Sequence, residues 1–236
     1  MAGYLIWDFD DTLARRDGRW SGALAQAAAT EGVAVDAAAL KPYLREGFPW
    51  HLPETVRVDE AAEAWWARLE LLFITALESG AGLAHEAAVR AADRVKAIYC
   101  EPTGWEVFAD VVPALERLSA AGWRHVILSN HVPELADLVA ALGLTPHFEI
   151  IFTSGLTGVE KPHPSAFRMV RQHARDDVRI VMIGDRWVAD VGGASAAGLE
   201  AVLVRKHHPE ARWFCEDLGG LAEVLDAIGR GNFEEK

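Results

Sequence analysis

Cysteine is nearly absent from the chain. Its 236 residues hold two, Cys100 and Cys215, far apart and outside any Cys-x-x-Cys spacing. Neither a disulfide framework nor a cysteine-built zinc site is supported. Positive charge is scarce too: 23 Lys and Arg stand against 35 Asp and Glu, for a formal net charge of -12. A nucleic-acid surface needs clustered Lys and Arg to match a polyphosphate, so no nucleic-acid partner is expected. A small anionic substrate is not excluded, because a local pocket on an acidic protein is able to be positive. Long apolar runs are also missing. The longest, around Leu69 to Leu77, is interrupted by Glu70 and falls short of a bilayer's thickness, so no membrane partner is expected. The apolar opening Met1 to Trp7 gives way to Asp8, Asp10 and Asp11 too early for a signal peptide. These absences lead to the expectation of a soluble, cytoplasmic protein.

What is present is apolar material with a rhythm. Hydrophobic residues make up 51% and charged residues 25%, enough for one large domain or a core with one sizeable insertion. Five short, nearly all-apolar runs read as strands buried on both faces: Tyr4–Phe9, His125–Ser129, Glu149–Thr153, Arg179–Ile183 and Ala201–Val204. Helical segments separate the later four. Asp110 is placed to cap a helix through Ala121, and Pro133 suits the first turn of one ended by Gly143. Pro164 opens another, and Gly198 closes one that begins near Val188. Strand alternating with helix predicts an α/β fold, with a parallel sheet and crossover helices on both faces.

Between the first and second strands this rhythm breaks. From about Arg15 to about Glu101 no convincing strand occurs, and the composition turns to Ala, Glu, Leu and Trp. Asp59 is placed to cap a long helix from Glu60 through Glu78, with Gly80 as its stop; Leu83 to Tyr99 and Ser21 to Glu31 read as two more. The expected organisation is a core of residues 1–14 and 102–236, carrying an all-helical insertion over 15–101.

The sharpest chemical signal is Asp8-Phe9-Asp10-Asp11-Thr12-Leu13 at the end of the first strand. Ligands of open parallel sheets bind beyond the carboxyl ends of the strands. Converging acids repel one another and lose hydration, which is tolerable when a cation or hydrogen-bond donors neutralise them. An Asp-rich turn at a strand end is common, so this run alone leaves both readings open. The later strands end in Ser129-Asn130, in a loop reaching Lys161-Pro162, and in Gly184-Asp185 with Asp190 further on. Singly, Ser129 would merely end a strand, Lys161 would be a solvated charge and Asp185 a helix cap. Their shared address at different strand ends favours a site. Asp8 and Asp185, with the backbone carbonyl of Asp10, supply the hard oxygens that suit Mg²⁺. Asp8 is then the candidate nucleophile toward phosphorus, and Asp10 the candidate acid and base. Thr12, Ser129 and nearby N–H groups, those of Ser129-Asn130 included, are candidates to hold phosphoryl oxygens, with Lys161 offsetting charge.

These segments, in this order, resemble the four motifs of the haloacid dehalogenase superfamily, on the branch with an α-helical cap inserted after the first strand. The resemblance covers essentially the whole chain. It implies a Rossmann-like core, Mg²⁺ dependence and, most often, hydrolysis of a phosphomonoester through Asp8. It also implies that Ser129 and Lys161 bind phosphate, that Asp185 binds the metal, and that Asp190 supports the metal shell or orients Lys161. One departure stands out: Arg186 follows Gly184-Asp185 where Ser is frequent in the family. Pairing with Asp190 or exposure to solvent is the expectation for it.

A helical lid over the strand ends would choose the substrate. Trp20, Arg45, Phe48, Trp50 and His51 combine aromatic and polar groups on predicted loops, although packing within the cap or at its hinge to the core is the stronger claim on any one of the aromatics. His131, next to Ser129-Asn130, is a further candidate for the substrate side. The leading expectation is an Mg²⁺-dependent phosphatase of a small phosphorylated metabolite, working as a monomer or homodimer. A 2-haloacid dehalogenase, a phosphomutase and a binding module with residual activity are the rivals. Dehalogenation needs neither a metal nor an acid at Asp10, so Asp10 with Asp185 argues against it.

Overall fold

The first strand is apolar from end to end and lies in the middle of the sheet, where both its faces are covered. In the computed structural model, which describes residues 2–58, 60–174 and 178–234 (231–234 by their backbone), it is β1, Gly3–Trp7. There follow β2 (Ala14–Arg16), α1 (Arg19–Thr30), α2 (Ala37–Leu40), α3 (Ala62–Ala81), α4 (His85–Cys100), β3 (Trp105–Val107) and α5 (Val111–Ala120). The remainder runs β4 (Trp123–Ser129), α6 (Leu135–Ala141), β5 (Ile150–Thr153), α7 (Ser154–Thr157), α8 (Pro164–Ala174) and β6 (Ile180–Gly184). It ends with α9 (Gly193–Ala196), β7 (Glu200–Val204), β8 (Phe214–Cys215) and α10 (Leu221–Glu234).

Six strands form one sheet in the order β5-β4-β1-β6-β7-β8, every neighbouring pair parallel. The fold is α/β and Rossmann-like, as expected. Side chains alternate along a strand, so β1 feeds two cores. Leu5 and Trp7 join a core that also takes in α1, α3, α4, α5 and α10. Tyr4 and Ile6 face the other, filled by Phe167 and Val170 of α8 and by Ala194 of α9. Because all strands point the same way, the residues that follow β1, β4, β5 and β6 gather at one edge.

Several local expectations need correction. β1 stops at Trp7 rather than Phe9, because the Phe9 carbonyl accepts from the N–H groups of Thr12, Leu13 and Ala14 and turns the chain. The missed β2 and β3 pair antiparallel, helped by Arg15 donating to Glu106. At three residues each, they are too short for alternation to show. The missed β8 has two residues. Helix α3 ends at Gly82, whose φ of 71° suits glycine, rather than at Gly80. Gly80 is needed for another reason: a Cβ there would lie 2.8 Å from Leu40. Asp59, the expected cap of that helix, is outside the described residues. Asp110 precedes α5 but does not cap it; its carboxylate accepts from Arg205 and from the N–H of Leu218 instead. Helix α6 begins at Leu135, two residues beyond Pro133. The helix expected from Val188 is a π-helical turn, Trp187–Gly192, that leads into α9. Among the described residues, no helix is long and apolar enough to cross a membrane.

Helices α1 to α4 lie between β2 and β3 in sequence and pack mainly on one another. Trp20 of α1 stacks on Tyr99 of α4 with ring centroids 3.7 Å apart. The group touches the sheet-bearing part at defined places. Trp66 and Lys96 both reach Glu134, and the N–H of Arg57 donates to the Gly158 carbonyl at 2.8 Å.

Candidate active site

The turn after β1 leaves Asp8 buried at the sheet's edge. Its Oδ1 accepts from Ser129 Oγ at 2.9 Å and from Lys161 Nζ at 2.8 Å. Burial alone would raise this carboxyl's pKa. The charge of Lys161, with hydrogen bonds from Lys161, Ser129 and the Phe9 N–H, outweighs burial and holds it below the ordinary value. Lys161 also donates to Asp190 Oδ1 at 2.6 Å. Burial favours a neutral amine there, but Asp190 and Asp8 prevail and push Lys161 above its usual range.

Lys161 is itself held from behind. The Asn130 side chain donates to the Lys161 carbonyl at 2.8 Å and accepts from the Lys161 N–H at 2.6 Å. The amide of Asn130 is therefore committed to the backbone rather than free for a ligand. Asp190 owes its place to the π turn, which brings its Oδ2 within 2.9 Å of the Arg186 N–H. Gly184 makes room for it, since a Cβ there would collide with that carboxylate.

Asp185 follows β6 and is buried, with its carboxyl pushed up to about 7 by burial and by the charge of Asp8. Its Oδ2 accepts from Lys206, while Oδ1 is buried without a partner among the described residues. Carboxylate oxygens of Asp8, Asp185 and Asp190 lie within 4.8 Å of one another. An orphaned buried oxygen beside two more hard oxygens fits a small divalent cation. Asp10 turns elsewhere: its Oδ1 is 3.6 Å from His131 Nε2, and its carboxylate lies outside that cluster.

A cavity of about 540 Å³ opens over these groups. Asp8, Asp10, Asn130, Lys161 and Asp185 line one side; Arg45, Phe48, Trp50 and His51 line the side given by the inserted helices. Ser129 reaches the cavity through Asp8. Thr12 does not line it: the residue is buried, and its carbonyl accepts from Arg205 Nε at 3.0 Å. His131 is also buried behind Asp10, between the rings of Phe9, Tyr99 and Trp105. Arg186 lines the cavity, and its backbone rather than its guanidinium serves Asp190.

Lys206 and Arg205 went unnoticed in the sequence. Lys206 bridges Asp185 and Asp11, and Arg205 pins the turn at Thr12 to Asp110. Two adjacent cations after β7 carry no motif, so only their address beyond a parallel strand could have flagged them. Glu160 is a further buried acid, pushed up to about 7 by burial.

The chain and its fold have known counterparts. The profile of the haloacid dehalogenase-like hydrolases matches residues 4–198, and the chain belongs to that family. It is 26% identical over 210 residues to haloacid dehalogenase-like hydrolase domain-containing protein 3 of Mus musculus, covering 87% of this chain and 82% of that one. It is 31% identical over 195 residues to the phosphoserine phosphatase of Thermus thermophilus, covering 75% and 77%. A HAD-hydrolase from Bacillus subtilis, solved bound to magnesium, shares the fold with a TM-score of 0.73 at 19% identity, covering 95% and 98%.

Proposed function

We propose that this chain hydrolyses the phosphomonoester of a small metabolite, with Mg²⁺, through a phosphorylated Asp8. The carrying observation is an ionised, buried Asp8 whose two side-chain donors both bind Oδ1, leaving Oδ2 to attack. Phosphatases among the relatives, such as those named for phosphoserine and ribulose-1,5-bisphosphate, support this reading. Asp8 and Asp185, with the Asp10 carbonyl, would hold Mg²⁺. When bound, the ion offsets the gathered negative charge of carboxylates and phosphoryl group.

Asp8 Oδ2 forms a bond to phosphorus as the ester oxygen leaves, and Asp10 delivers a proton to that oxygen. Asp10 then takes a proton from the water that attacks the phosphoryl group, releasing phosphate and restoring Asp8. Lys161 keeps Asp8 ionised and faces the phosphoryl charge, while Asp190 and Asn130 fix Lys161 in place. Ser129 orients Asp8. We further read residues 15–101 as a cap on the core of 1–14 and 102–236; the Arg57–Gly158 and Trp66–Glu134 contacts support that reading. Closed over the site, it excludes water and presents Arg45, Trp50 and His51 to the substrate.

The test uses p-nitrophenyl phosphate and acetyl phosphate. Turnover should require Mg²⁺, stop with EDTA, and vanish in Asp8→Asn. Turnover that survives chelation would overturn the Mg²⁺ requirement, and halide release from a 2-haloacid in place of phosphate release would point to the dehalogenase instead.

A further inference from the structure

Five basic side chains line the cavity of an acidic protein: Arg19, Lys41, Arg45, Lys161 and Arg186. Two are already engaged, Lys161 with Asp8 and Asp190, and Arg19 with Asp11. The other three have no ion-pair partner among the described residues. All the acids on the wall, Asp8, Asp10, Asp185 and Asp190, belong to the site at the strand ends. Lys41 and Arg45 stand instead on the inserted helical segment, within and just after the 3₁₀ turn Lys41–Leu44.

His51 adds a donor to this wall. Its Nδ1 accepts from the Phe48 N–H at 3.3 Å, so a neutral ring carries its proton on Nε2. Burial and the charge of Arg186, against the pull of Glu46, lower its pKa and favour that neutral form. His51 and Arg186 line the same cavity, one from each part of the molecule. The same cavity also has an apolar surface, with Trp50 stacked on Phe48 at 4.5 Å between ring centroids. Beyond the strand-end carboxylates, this wall offers donors and positive charge, with no acidic side chain among them.

We propose that the substrate carries a second anionic group besides the reacting phosphate, and that Lys41, Arg45 and Arg186 bind it. This rests on the phosphatase reading of the same site. The group is a carboxylate or a second phosphate, since both present several acceptor oxygens to a guanidinium fork. Arg186 thereby acquires a task that its place after Asp185 does not otherwise explain. Lys41, Arg45 and Arg186 are solvent-exposed residues of one cavity lining, and a substrate with a single charge would leave all three without a counter-charge from it.

The experiment compares kcat/KM within two matched pairs under Mg²⁺. One pair is 3-phosphoglycerate and glycerol 3-phosphate; the other is fructose 1,6-bisphosphate and fructose 6-phosphate. The doubly anionic member of at least one pair should be preferred by about 10- to 100-fold, the range of a hydrogen bond to a charged group. The pair that responds tells carboxylate from phosphate. Arg45→Ala and Arg186→Ala should each cut the preference about tenfold, and Arg45→Lys should restore part of it. Ratios near one in both pairs would overturn the proposal. So would variants that depress both members of a pair equally, which would assign these cations to the reacting phosphate. If neither p-nitrophenyl phosphate nor acetyl phosphate turns over, the parent reading fails, and this inference goes with it.

Discussion

Replacing Lys161 with methionine removes the one cation shared by two buried carboxylates. Nζ is 2.8 Å from Asp8 Oδ1 and 2.6 Å from Asp190 Oδ1. Methionine has a similar volume, so little of the effect comes from packing and most from charge. Removing one partner of a buried pair costs about 3–5 kcal/mol, and that is the loss of stability expected near neutral and alkaline pH. Acid should shrink it. In the native chain Asp8 lies below its ordinary pKa of 3.8, so its contribution is present above that value and is lost as pH falls through the still lower folded value. In the variant Asp8 loses the charge that held it down and is raised by burial, beside Asp190, which burial already pushes up to about 6 in the native chain. They bind protons in the folded state while still ionised in the unfolded one, so the variant gains stability as pH falls toward about 5. The difference between the two proteins should drop to about 1–2 kcal/mol there. Urea unfolding of the metal-free proteins at several pH values measures it, with slopes compared to confirm that both unfold alike. A difference below about 1 kcal/mol at alkaline pH, or one independent of pH, would refute the electrostatic account.

Other outcomes follow from single residues. Trp20→Ala should cost about 3–5 kcal/mol in thermal or urea unfolding, because the ring stacks on Tyr99 in the core of the inserted helices. His125 is buried, and burial pushes its pKa down to about 4 from 6.5. Its contribution to stability is complete above about 6.5 and is lost as pH falls toward 4, and His125→Asn should flatten that slope in a pH series of melting curves. Lys206→Met removes the cation that neutralises Asp185, so calorimetry should find Mg²⁺ bound more tightly. Weaker binding would show that Lys206 positions Asp185 rather than competing for it.

Much of the architecture was legible because local pattern decides it. Apolar runs such as Gly3–Trp7 and Ile180–Gly184 have no stable place except inside a covered sheet. The same runs told where the chemistry gathers, since parallel strands deliver their last residues to one edge. Legibility failed where the deciding partner is distant. Asp110 looks like a helix cap until Arg205 is beside it. Thr12 sits in the leading motif, yet the turn at Phe9 carries it away from the cavity wall. Gly80 reads as a stop, though its function is to admit Leu40 and Tyr43.

The order of strands and helices, the acid-rich turn after the first strand and the family itself were set by residue identity along the chain. Periodicity and motif spacing are local quantities. Which oxygen of Asp8 is held, which cation reaches Asp185, and which arginines of one cavity have no ion-pair partner among the described residues depended on the tertiary structure. Those are distances of a few ångströms between residues far apart in the chain, and electrostatic energy is decided by distance and burial, neither of which a one-dimensional pattern contains.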